Sequence, residues 1–561
     1  MTFTEKNAAS YVETPKTVDV NNVNWSDEAD ILIVGFGGAG ACAAIEAKEQ
    51  GADVLALERF EGGGATCLSG GIIYSGGTPY QKAAGIEDSA EEMFKYLRKE
   101  IGDAVMPETL RRFCEQSSDN LAWLNKHGVN FGSCAYSGKR SYPPKGFDIY
   151  YSGNEATPAY AEIAKPAARG HRVAGHGYTG KDFYLALQQS AVDIGVRVRT
   201  HTLAKRLLVN EQGDVVGVEV LRMPEQSEAF KKHLALIKKV NAYQRFMEKS
   251  ALKSATKILE LEKRYGESLF IRAKKAVVLT TGSFAFNREM VSHYAPKYKE
   301  AMPLGTVSCD GSGVLLGQSV GAAVGHMDSV TAWRSISPPE SFVKSVVVNK
   351  EGQRFIAEDA YLGHLGYAIA NQTEQRAWVI IDSSTYWRAY KETIPHFGEE
   401  SYIEFRGPLL LNLLFNSAKG KTLTALAKKI GVDSSNLEQQ VSDYNDIVAQ
   451  ASDPLNKKNS NLSAIGKGPF YAIDISVGSK KYVCPTIPMG GLQVNEDTGQ
   501  VITSSGQGIN GLYAAGRAAV GVPSGFYVSG SSIADCVFSG RRAAQTIMTS
   551  RVINESEKVE A

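Results

Sequence analysis

Asp30-Ile31-Leu32-Ile33-Val34-Gly35-Phe36-Gly37-Gly38-Ala39-Gly40 is the stretch on which the reading of this chain turns. Its first half is an apolar run with the composition of a buried strand, and the small residues from Ala41 to Gln50 suit the helix that follows the glycines. A GxGxxG turn between strand and helix has a specific use. Gly35 permits the tight turn, Gly37 lets backbone approach a pyrophosphate, and Gly40 lets the helix pack closely on the strand. Gly38 and Ala39 open the helix, whose first N–H groups face the phosphate charge. Val54-Leu55-Ala56-Leu57 reads as the next strand. It ends at Glu58, eighteen residues beyond Gly40, where a dinucleotide's ribose hydroxyls are expected.

Further along, Ala276-Val277-Val278-Leu279-Thr280 reads as a third buried strand and runs into Thr281-Gly282-Ser283-Phe284. Gly511-Leu512-Tyr513-Ala514-Ala515-Gly516 makes another strand with a glycine stop, and a helical run from about Ser532 to Thr549 follows. Strands of one sheet near both termini predict an α/β fold. The nucleotide domain is Rossmann-like and discontinuous (residues 26–330 and 475–550), with an inserted α+β cap over residues 331–474. Residues 1–25 read as a mobile tail. Residues 225–266 carry ten Lys/Arg against five Asp/Glu, with apolar residues at helical spacing, and read as a basic helical insertion on the surface.

At 561 residues the chain needs more than one core, and 43% hydrophobic with 22% charged residues is ordinary for a globular protein. A net charge of +1 offers no field for nucleic acid or an anionic bilayer. The seven cysteines are scattered without CxxC spacing, which argues against a disulfide framework or a metal site and for a reducing compartment. No signal-peptide pattern and no membrane-length apolar run is present in the sequence, so a cytoplasmic location is expected. Oligomeric state stays open.

NAD and FAD share the first fingerprint. A second glycine turn follows directly, Arg59-Phe60-Glu61-Gly62-Gly63-Gly64-Ala65-Thr66 and then Ser69-Gly70-Gly71, as a larger, permanently held cofactor would require. Near the C-terminus, Gly530-Ser531-Ser532-Ile533 opens the last helix, and a helix N-terminus aimed at a flavin ring stabilises the negative charge of its reduced form. Together with Thr281, Gly282 and Gly516, these motifs predict FAD, held noncovalently.

With Met489-Gly490-Gly491-Leu492, the motifs resemble those of the fumarate reductase/3-ketosteroid dehydrogenase flavoproteins over about residues 28–545. The resemblance implies a cap closing over the isoalloxazine ring, with substrate between. Dicarboxylate reductases of that family need Arg and His to clamp two carboxylates. Thr486-Ile487-Pro488-Met489 supplies no cation, and Arg169, Arg172, His176, Arg354 and Arg406 read more easily as surface or structural residues. Gly525-Phe526-Tyr527-Val528-Ser529-Gly530 instead places a Tyr and a Ser at i, i+2, on one face of an extended segment.

That pair, with Tyr361 in Arg354-Phe355-Ile356-Ala357-Glu358-Asp359-Ala360-Tyr361, is similar to the 3-ketosteroid 4-dehydrogenases that act on 5α-steroids. The resemblance implies that Tyr527 binds the C3 carbonyl, Ser529 takes the C4 proton, Tyr361 relays it, and an unidentified acceptor takes the electrons. The 25 tyrosines include other candidates, such as Tyr150, Tyr151 and Tyr178, which read as packing residues, and the stretch 135–160 reads as a cover. A C1–C2 dehydrogenase or ketosteroid reductase, a fumarate- or urocanate-type reductase, and a non-catalytic flavin-binding subunit stay open.

Overall fold

The computed structural model describes residues 10–245, 247–337, 339–394, 410 and 412–557. Its largest sheet has nine strands. At the centre, β2 (Asp27–Val34) runs parallel to β3 (Val54–Leu57), with α1 (Gly38–Glu49) as the crossover between them. β4 (Arg197–Arg199) extends that side in parallel. On the other side, the order continues through β7 (Glu267–Leu279), β6 (Val215–Arg222), β5 (Thr202–Val209) and β1 (Lys16–Thr17). β9 (Gly508–Ala514), flanked by β8 (Gln500–Ile502), also pairs with the end of β7. The α/β, Rossmann-like organisation expected from the glycine motif is therefore present.

β7 is thirteen residues long, well beyond the apolar core read from the sequence. Its first half pairs antiparallel with β6 and its last residues pair in parallel with β9, so it serves two kinds of ladder. The register Leu279↔Val34↔Leu57, with Leu279↔Ala514, brings the C-terminal ends of four parallel strands to one edge. Ligands of doubly wound sheets bind at such an edge.

Residues 10–25 do not behave as the mobile tail that their polarity suggested. Lys16 and Thr17 pair with Leu208 and Val209, Val18 is buried, and the Trp25 indole N–H donates to the Val20 carbonyl at 3.0 Å. Backbone pairing with an open sheet edge supplies order that apolar content does not.

Among four smaller sheets of the described residues, two have four strands each. Val346–Asn349, Ala377–Asp382, Phe470–Asp474 and Ser417–Gly420 form an antiparallel sheet with its own cores on both faces. Ile72–Tyr74, Gly170–Arg172, Ile149–Tyr151 and Ala135–Lys139 form another, so the stretch 135–160 is partly sheet. Residues 225–266 fold into a helical hairpin, α2 (Glu228–Tyr243) and α3 (Glu248–Tyr265). The last helix, α4 (Ser531–Glu557), lies along α1; a Cβ at Gly540 would come within 2.7 Å of the Ala39 carbonyl oxygen. All seven cysteines are thiols, and among the described residues no helix is long and apolar enough to cross a membrane.

Candidate active site

One elongated cavity of about 1070 Å³ opens at the strand edge. It is lined first by the nucleotide-type turn: Gly35, Gly37, Gly38 and Ala39 from the β2–α1 junction, then Glu58 and Arg59 from the end of β3. Gly35 has φ +96°, and a Cβ there would lie 2.9 Å from the Thr280 carbonyl oxygen. Gly37 caps α1 without a side chain, which leaves its approach open to a ligand. The Glu58 carboxylate accepts the Phe36 amide at 2.8 Å and the Phe60 amide at 2.9 Å. Burial pushes its pKa up, although those amides and the Arg59 charge pull the other way. Each oxygen keeps capacity for a further donor such as a ribose hydroxyl.

Gly64, Ala65, Thr66, Ser69 and Gly70 line the adjoining wall. The Thr66 hydroxyl accepts the first amide of α1, Gly38 N–H, at 3.2 Å, which leaves its own proton for the cavity. Thr281 and Gly282 follow β7, and Gly530, Ser532 and Ile533 begin α4.

Four expected cofactor residues lie behind this surface instead. A Cβ on Gly40 would sit 2.1 Å from the Gly35 carbonyl oxygen, so Gly40 serves helix-to-strand packing. Gly71 turns against Thr179 with φ +67°, and Gly516, with φ +61°, abuts Ala39. The buried Ser531 hydroxyl donates to the Val528 carbonyl at 2.6 Å. These four shape the wall from outside.

At the α4 end, Tyr527 and Ser529 both face the cavity while the intervening Val528 packs into the main core. The i, i+2 alternation holds although the segment is a loop. The Tyr527 ring lies 5.8 Å from Trp333. Burial pushes its phenol up to about 12, while hydrogen bonds from the Gly530 amide and Ser529 act in the opposite direction. Tyr527 lines the cavity, so its phenol can donate to a ligand there.

The Tyr150 phenol, which the sequence left among packing residues, lies 3.4 Å from the Ser529 hydroxyl. It is fully buried on the Ile149–Tyr151 strand, and burial raises its pKa. Only its spatial position distinguishes it from the other tyrosines. Tyr361, at the start of helix Leu362–Ala370, lines the same cavity. Its backbone N–H donates to Asn154 at 3.0 Å, and its phenol, pushed well up by burial, has no protein partner.

Two further buried groups on this wall went unnoticed in the sequence. The Trp333 indole N–H and both polar atoms of the Asn412 amide lack partners. Leu362, Val483, Pro485 and Ile487 also line the cavity, together with Ser335, Ser337, Lys481 and Tyr482.

The cations considered for a dicarboxylate clamp are placed otherwise. Arg169 is fully buried against Asp88 at 2.7 Å, and Arg354 against Glu358 and Asp453 at 2.8 and 2.7 Å. Arg172 lines the cavity but donates to the Gly175 carbonyl, His176 lies exposed at its mouth, and Arg406 falls outside the described residues. The hairpin of residues 225–266 departs from the surface excursion expected of it. Gln244 and Arg245, between its helices, line the cavity, and Glu262 forms a buried pair with Arg59.

Comparison with known proteins agrees with this geometry. A family model described as an FAD binding domain matches residues 30–533. The chain is 37% identical over 525 residues to a 3-oxo-5-alpha-steroid 4-dehydrogenase of Comamonas testosteroni, covering 92% of this chain and 98% of that one. The crystal structure of a 3-ketosteroid-Δ4-(5α)-dehydrogenase from Rhodococcus jostii RHA1, in complex with 4-androstene-3,17-dione, superposes with a TM-score of 0.78 at 30% identity. That match covers 96% of this chain and all of the other. A flavocytochrome c3 fumarate reductase in its open conformation gives a TM-score of 0.61 at 26% identity, covering 94% and 79%.

Proposed function

The chain belongs to the FAD-binding flavoprotein family, and on that premise we propose that it desaturates a 5α-3-ketosteroid between C4 and C5. The cofactor is FAD, and the residues present suit it: the glycine-opened start of α1 for the pyrophosphate, Glu58 for the ribose, and the start of α4 for the flavin ring. Bound in this cavity, FAD supplies the acceptor for the hydride that leaves C5.

The remaining work falls to hydroxyl groups. Removing the C4 proton is feasible only if a donor stabilises the enolate oxygen at C3, and Tyr527 is the buried phenol on the cavity wall that can supply it. Ser529 takes the C4 proton. An alcohol is a weak base alone, so a partner must accept its charge or its proton. Ser529 can take the C4 proton while handing its own hydroxyl proton to the neighbouring Tyr150, which must in turn pass its phenol proton on towards solvent. Tyr361 offers a second phenol on the cavity for that relay. The apolar wall suits a steroid skeleton, and the Trp333 and Asn412 groups suit a substrate with few polar atoms. Residues 331–474 serve as the cap domain over this substrate. A cytoplasmic location is part of the proposal, and turnover needs an electron acceptor.

The observation that carries this reading is that Tyr527 and Ser529 line the same cavity as the dinucleotide turn, with the Tyr150 hydroxyl behind Ser529. The test is anaerobic mixing of the purified flavoprotein with a 5α-3-ketosteroid. Bleaching of the flavin, with formation of the 4-ene-3-ketosteroid, is expected. No bleaching with ketosteroids, combined with reoxidation of the dithionite-reduced protein by fumarate or urocanate, would reject it.

A further inference from the structure

The helical hairpin of residues 225–266 has no place in the proposed chemistry, yet its tip lines the cofactor cavity and its base holds Arg59, which lines it. At the base, the Arg59 guanidinium forms a fork onto Glu262, with Nε at 3.1 and 3.2 Å from the two carboxylate oxygens and a terminal nitrogen at 2.8 Å. Its other terminal nitrogen meets Asp310 at 3.0 Å. The His233 imidazole adds a contact to Glu262 at 3.3 Å from the facing helix. Glu262 and His233 are buried, and burial alone would raise the carboxyl; the Arg59 charge and the Arg59 and His233 hydrogen bonds outweigh it and hold Glu262 below its ordinary value.

At the tip, the Gln244 side-chain oxygen Oε1 accepts the Val307 amide at 3.3 Å, and the Arg245 guanidinium lies 5.2 Å from the Tyr178 ring. Between base and tip, Ile237, Val240, Ala255 and Ile258 pack on Phe286 and Val307. A solvated surface excursion has no reason to bury an ion pair directly after the ribose-binding acid.

We propose that this hairpin is a clasp that retains FAD. Glu262 is a positioning residue that fixes Arg59 beside Glu58, and Gln244 and Arg245 close the cavity over the bound cofactor. The inference depends on FAD binding and is independent of the steroid. Desolvated hydrogen bonds to charged groups stand behind the expected size, roughly a 10- to 100-fold faster release of FAD from Glu262→Gln.

Release is followed from the holoprotein by the rise in free-flavin fluorescence, and the affinity by titrating apoprotein with FAD. Glu262→Asp should recover part of the loss. Glu262→Gln takes a buried charge from Arg59 and should lower the melting temperature of the apoprotein on either role; a clasp role also requires faster FAD release and weaker FAD affinity, whereas a purely structural role would leave both unchanged. Arg245→Ala, at the exposed tip, removes the guanidinium beside the Tyr178 ring and should release FAD several-fold faster. Parental release from Arg245→Ala, or from folded Glu262→Gln, overturns the proposal.

Discussion

Replacing Tyr527 with phenylalanine removes one oxygen and leaves a ring packed near Trp333. The residue is 7% exposed, and its phenol is pushed up to about 12, so the donor proton is in place throughout the neutral range. The neutral phenol is the active form, so activity should persist as pH rises past about 10, where a free tyrosine titrates, and fall only towards the folded value. Losing one preorganised donor to a developing oxyanion costs about 2.7–4 kcal/mol, or roughly 10²–10³ in rate. Stopped-flow bleaching of the flavin under anaerobic conditions reads the rate directly, and the flavin-to-protein absorbance ratio shows whether FAD is kept. Bleaching of Tyr527→Phe at the parental rate would refute the reasoning, as would an alkaline fall in activity centred near the ordinary tyrosine value.

Ser529→Ala should stop both flavin reduction and exchange of the C4 hydrogens with deuterated solvent, the exchange being followed by mass spectrometry of the recovered steroid. Tyr150→Phe removes the hydroxyl 3.4 Å from Ser529 and should slow the same exchange by roughly tenfold or more, in the range of general acid–base contributions; exchange at the parental rate would mean that Tyr361 alone supports Ser529. Gly40→Val places a side chain where even a Cβ would lie 2.1 Å from the Gly35 carbonyl, so the protein should purify without yellow colour, and full flavin occupancy would contradict the geometry. Burial lowers the His171 imidazole to about 4, against about 6.5 when unfolded, so its contribution is complete above the unfolded value and is lost as pH falls through the folded one. Urea unfolding of the parent should therefore lose on the order of 3 kcal/mol more between those limits than His171→Gln does.

The strand, the glycine turn and the helix at residues 30–50 are local features: spacing, side-chain size and left-handed backbone at Gly35 decide them within a dozen residues. The i, i+2 pair Tyr527 and Ser529 was legible for the same reason, because alternation along an extended segment needs no distant partner. Residues 10–25 misled the reading, since a lone edge pairing with Leu208 and Val209 is a property of the sheet and not of the tail.

Tyr150 could not be told from the other tyrosines, because its partner Ser529 lies 379 positions away and only the Ile149–Tyr151 strand carries it there. Glu262 is 203 residues from Arg59, and its composition is that of a solvated basic helix until packing removes it from water. Local chain chemistry thus determined the cofactor turn and the class of fold. Tertiary structure decided which hydroxyls meet and which charges are buried, because a hydrogen bond or ion pair depends on separation in space, and burial in this fold gives each its strength.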